Sequence, residues 1–88
     1  MNHVEVKKQV GLAIRHLRIK RGLSQEDLAK NAGLSRTFLT GVETGTRNLT
    51  LQTMSRLAEA LGVGVGEFFN GAGETRPAPQ PDQGTGRR

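Results

Sequence analysis

The chain predicts an all-α fold, a compact bundle of five short helices. Three observations carry this. Apolar residues recur at spacings of three and four in successive segments, and no segment alternates as a strand would. A serine or threonine stands before three of those segments, where a helix needs a cap. A glycine follows four of them, where a helix stops.

The first helix is expected over about 4–21. Val6, Val10, Ala13, Ile14 and Leu17 form its buried stripe, and Gly22 closes it. Leu12 and Ile19 fall off that stripe and read as incidental apolar surface. Ser24 caps the second helix, and Asp27 three residues later makes a variant of the capping box. Gln25, Glu26 and Asp27 fill its first turn, where acids suit the helix dipole. Leu28 and Ala29 face inward, and Gly33 ends the helix in a turn that needs positive φ. Ser35 caps the third helix, 36–44, with Leu39 and Val42 turned to the core and Gly45 as its stop. Thr50 caps the fourth, whose stripe is Leu51, Met54, Leu57, Ala58 and Leu61, ended by Gly62. Val63, Val65, Phe68 and Phe69 suggest one more helical turn, held by packing because glycines at 62, 64 and 66 weaken it. The folded domain is placed at 1–70. From Gly71 to Arg88 the chain is rich in Pro, Gly and Gln without a large apolar residue, and a disordered tail is expected.

The 88 residues allow one small domain with a modest core. With no cysteine, disulfides, thiolate zinc sites and thiol catalysis are excluded. No run is long and apolar enough for a membrane span, and a cytoplasmic location is the expectation. A net charge of +5 and a pI of about 10.8 favour a polyanionic partner weakly. With three phenylalanines and no tyrosine or tryptophan, the stacking platform of a single-strand binder is missing. His3 and His16 have no ligand partners at metal spacing, so neither metal nor cofactor is expected. Paired carboxylates in a cleft and a nucleophile motif are both wanting, which argues against an enzyme.

Leu23 to Gly45, LSQEDLAKNAGLSRTFLTGVETG, is the informative segment. Two short amphipathic helices meet at a glycine turn, the build of a helix-turn-helix whose second helix enters the major groove of duplex DNA. Arg36, Thr37, Thr40 and Gly41 share the outward face of that helix. Arg36 lies in the first turn, and its fork suits guanine O6 and N7, worth roughly 1–3 kcal/mol against a wrong base. Thr37 and Thr40 offer a hydroxyl or a methyl, and Gly41 leaves the backbone open to the groove. Gln25, at the tip of the second helix, can clamp a phosphate together with free N–H groups there. Arg47 and Asn48 follow the third helix and could hold the backbone, or Arg47 could reach a base. Phe38 is either a core aromatic or an apolar edge over sugar or a thymine methyl. Lys7, Lys8, Lys20, Arg21 and Arg56 read as solvated charge.

Gly11, Ile14, Arg15, Leu17 and Arg18, then SQEDLA, Ala32-Gly33, Leu39, Val42 to Gly45, and Ala60-Leu61 with Phe69, together resemble the phage lambda repressor and Cro type (XRE-like) of helix-turn-helix domain. The resemblance covers about residues 8–69. It implies a five-helix fold, a homodimer and a palindromic operator. Ser35 to Asn48 is most similar to controller proteins of restriction–modification systems, with an Arg-Thr-aromatic start and Arg-Asn after the turn. It departs from them in Phe38 for tyrosine, Leu49 for proline, and the added tail.

By that similarity Arg36, Thr37 and Arg47 reach bases and Thr40 bases or backbone. Gln25, Ser35, Phe38 and Asn48 are the residues expected at the DNA backbone. Arg18 and Glu43 pair structurally. Val63, Val65, Phe68 and Phe69 are the expected dimer surface, with Val65 and one phenylalanine outward and the other phenylalanine in the core with Leu61. The function implied is a DNA-binding transcription regulator, a restriction–modification controller or phage-type repressor, with RNA polymerase as a further partner. The alternative is an antitoxin that neutralises a toxin protein and binds its own operator.

Overall fold

The computed structural model describes residues 2–69. It contains α1 (His3–Lys20), α2 (Gln25–Ala32), α3 (Arg36–Thr44) and α4 (Leu51–Leu61). A single helical turn follows, closed by i→i−3 bonds from Glu67, Phe68 and Phe69 N–H to Gly64, Val65 and Gly66 carbonyls. That turn stands where the fifth helix was expected. The tail from Gly71 lies outside the described residues. Among the described residues no helix is long and apolar enough to cross a membrane.

Each start has a local cause. Asn2 caps α1, its Oδ1 accepting from Glu5 N–H at 2.9 Å, so the helix begins one residue earlier than its apolar stripe suggests. Ser35 and Thr50 cap α3 and α4 in the same way. At α2 the capping box is complete. Ser24 Oγ accepts from Asp27 N–H at 2.9 Å, and Asp27 Oδ2 accepts from Ser24 N–H at 3.1 Å. Gly33, at φ +72°, lets the chain leave α2 at once for α3, a conformation costly for any residue with a Cβ.

The capping box makes one acid-sensitive point. The Ser24 backbone N–H, then its hydroxyl, hold the Asp27 carboxyl below its ordinary value, with Lys30 adding to the effect. A lowered folded pKa means the cap's contribution is complete above the ordinary carboxylate range and is lost as pH falls through the lowered value. Asp27→Asn is therefore expected to flatten the fall in melting temperature between about pH 5 and pH 2. An acid slope equal to that of the unaltered chain would show that this carboxylate is not the source.

The core gathers Val10 and Ile14 of α1, Leu28, Ala29 and Ala32 of α2, Leu39 and Val42 of α3, Leu57, Ala58 and Leu61 of α4, and Phe68. α1 and α3 approach closely at Gly11, where a Cβ would collide with the Val42 carbonyl oxygen and lie 2.9 Å from that of Glu43. Gly45 packs on α1 in a similar way, its missing Cβ leaving room for the Lys8 stem. Leu12 and Ile19 lie exposed. Leu51 departs from its expected place in the buried stripe of α4 and is 75% exposed. It is the first residue of the helix and projects past the edge of the core.

Candidate nucleic-acid interface

α3 is held in place by a polar chain that runs through three helices. Arg18 of α1 donates from Nε to Glu43 Oε2 at 2.7 Å and from Nη2 to Oε1 at 3.1 Å, a two-pronged pair. Its Nη1 donates to the Leu23 carbonyl at 2.9 Å, which ties the pair to the α1–α2 loop. The side chains are 12% and 2% exposed, so the charges meet almost out of water. Gln25, the first residue of α2, donates from Nε2 to Glu43 Oε1 at 3.0 Å. Its Oε1 accepts from Thr40 Oγ1 at 3.1 Å. Thr40 and Glu43 are three apart on α3, so one turn of helix presents both to Gln25. The Gln25 amide keeps a second N–H, which is what a phosphate contact would need. Gln25 was legible as a helix-tip residue; its place in this chain was not.

Around this support Ser35, Arg36, Thr37 and Thr40 are exposed. Ser35 Oγ accepts from Phe38 N–H at 3.0 Å, which leaves its O–H free to donate. Arg36 lines a cleft of about 520 Å³ with Gln25 and with Arg15, a cation that periodicity alone did not single out. Gly41 is corrected. It is buried rather than open to a groove, because the aliphatic stem of Arg47 lies against it and a Cβ there would collide with Arg47 Cγ. The Arg47 guanidinium then rests over the Phe38 ring, 5.7 Å from its centroid. Phe38 is half-buried against the core and acts as a platform for Arg47, a role neither expectation for it included. Asn48 is exposed, and its Oδ1 accepts from Lys7 Nζ at 3.2 Å, so Lys7 joins this edge.

The expected dimer surface divides. Phe68 is 0% exposed, enclosed by the monomer's own core, and cannot offer its side chain to a partner. Val63 and Val65 are half-buried against the core. Phe69 is 40% exposed and borders an apolar pocket of about 290 Å³ with Val6, Val10, Leu49 and Met54.

Two helices meeting at a left-handed glycine, with the second held across the first and its polar face outward, match the Helix-turn-helix family model over residues 14–68. The chain belongs to the helix-turn-helix family of DNA-binding transcription regulators. It is 38% identical over 72 residues to the uncharacterized HTH-type transcriptional regulator y4dJ of Sinorhizobium fredii, covering 82% of this chain and 94% of that one. It is 41% identical over 54 residues to the control protein C.BamHI of Bacillus amyloliquefaciens, covering 60% and 67%. Among solved structures it is similar to the restriction–modification controller protein C.AhdI of Aeromonas hydrophila. The TM-score is 0.69 at 44% identity, over 70% of this chain and 94% of that one. Gly11 and Gly45 were legible as a residue of the resemblance and as a helix stop; their close approach between α1 and the α3 end in this helix-turn-helix domain was not.

Proposed function

We propose that two copies of this chain bind a palindromic operator in duplex DNA and regulate transcription there, in the manner of a restriction–modification controller. The observation that carries it is the exposed face of α3. Arg36, Thr37 and Thr40 stand on it, and Arg47 is strapped across the same helix by Gly41 and Phe38. Arg36, Thr37, Thr40 and Arg47 read base edges from the major groove. Gln25, Ser35 and Asn48 hold phosphates on either side. The similarity to controller proteins supports the setting.

One helix tip touches few base pairs, and a two-fold dimer doubles the site. Phe69, exposed beside half-buried Val65 and Val63, supplies the apolar surface for that contact. Selection from a random duplex pool is expected to enrich an inverted repeat with half-site centres about 34–36 Å apart. Phe69→Asp is expected to sediment as a folded monomer and to bind the selected site far more weakly. Enrichment of a single asymmetric half-site, or an undisturbed dimer in the variant, would remove the two-fold reading.

Arg47 gives a sharper check. Gly41→Ala is expected to leave the domain folded, since alanine is the better helix former by about 1 kcal/mol, while its methyl expels the Arg47 stem from α3. Operator affinity should then fall as far as in Arg47→Ala, and the double variant should fall no further. Additive losses would mean that Gly41 does not act through Arg47.

A further inference from the structure

The Thr40 hydroxyl has one proton and two takers inside the protein. Its Oγ1 is 3.0 Å from the Arg36 carbonyl oxygen and 3.1 Å from Gln25 Oε1. Neither can return a proton. A carbonyl only accepts, and the Gln25 amide is fixed with its oxygen toward Thr40 because its nitrogen faces the Glu43 carboxylate. Turning the amide over would set its oxygen against that carboxylate. Glu43 is itself clasped by Arg18 and almost fully enclosed, so the orientation is enforced from the interior outward. Thr37 makes the contrast. It is exposed on the same face, and no hydrogen bond engages its hydroxyl among the described residues, so it remains both donor and acceptor.

With its proton held inward, Thr40 shows the outside a lone pair and a methyl group. Phosphate oxygens, guanine O6 and N7, and thymine O4 are all acceptors and need a proton that Thr40 does not have to give. The exocyclic amino groups of adenine and cytosine are donors and fit. We propose that the Thr40 hydroxyl selects a base amino group, so that adenine or cytosine is preferred at the base it faces over the acceptor groups of guanine and thymine. This rests on the reading of α3 as the groove-entering helix. It assigns Thr40 to bases rather than to the DNA backbone, and it makes Gln25 a positioning residue for specificity as well as a phosphate contact.

The test uses the full chain and three proteins, unaltered, Thr40→Val and Thr40→Ser, each selecting from a random duplex pool. Valine keeps the shape and methyl and loses the hydroxyl; serine keeps the hydroxyl. Thr40 is exposed, and melting temperatures check that the variants fold. One position per half-site is expected to require adenine or cytosine for the unaltered and Thr40→Ser proteins and to become indifferent for Thr40→Val, with the other positions unchanged. Replacing the selected base by an analogue without the amino group, purine for adenine, should then weaken the unaltered protein about three- to tenfold and leave Thr40→Val unaffected. Guanine or thymine at the Thr40-dependent position, or the same pattern for Thr40→Val as for the unaltered chain, overturns the inference and leaves α3 as the reading helix. An unaltered chain that enriches no sequence, or an Arg36→Ala variant that keeps the entire pattern, overturns the assignment of α3 and this inference with it.

Discussion

Arg18→Ala is expected to cost the fold about 3–5 kcal/mol, a large share of the stability of so small a domain. Glu43 is 2% exposed at its side chain, and Arg18 supplies two of the three hydrogen bonds its carboxylate accepts. Removing the guanidinium leaves a buried negative charge with, among the described residues, the Gln25 amide alone as hydrogen-bond donor. It also frees the Leu23 carbonyl that the same arginine holds. Urea denaturation measures the loss directly. Joint replacement, Arg18→Met with Glu43→Leu, fills the same space without charge and is expected to recover most of the stability, because the cost lies in the orphaned ion rather than in the absence of the pair. A loss under about 1 kcal/mol in the single variant would place the pair among ordinary surface ion pairs.

The second large effect falls on recognition. Arg36→Ala is expected to erase preference for the selected operator while weak, salt-sensitive attachment to any duplex persists. A bidentate arginine–guanine contact discriminates by roughly 1–3 kcal/mol, and a two-fold site contains it twice. Arg36 is exposed on the first turn of α3, and among the described residues no hydrogen bond or ion pair engages its side chain, so melting should be unchanged. Competition binding with operator and scrambled duplex measures the ratio. Equal loss on both would make Arg36 a phosphate contact rather than a reader.

The elements were legible because their causes are local. Ser24 and Asp27 are three residues apart, and so are Ser35 and the Phe38 amide it caps; such pairs are visible in a one-dimensional string. The Arg18–Glu43 pair came with the family resemblance rather than from spacing. What escaped depends on partners brought together by the fold. Glycine at 41 looks like an open helix face until Arg47 returns across it. Gln25 looks like a free helix tip until Thr40 and Glu43 arrive from α3. Leu51 obeys the apolar period of α4 yet lies beyond the core's edge, since period gives direction but not depth. Of the two adjacent phenylalanines one had to turn inward, and only packing chose Phe68.

The contact at Gly11 bears on how such a protein can diverge. There the main chain of α1 rests on the main chain of α3, so part of the seat of α3 is set by backbone touching backbone and not by the volume of interior side chains. Hydrophobic exchanges elsewhere in the interior can alter stability while the remaining side chains repack. They need not displace this seat. A lineage can therefore drift through much of its apolar interior and still recognise its ancestral site, while glycine at position 11 is denied that freedom. New binding preferences would then arise through exposed positions such as Arg36, Thr37 and Thr40, whose replacement leaves the seat where it is.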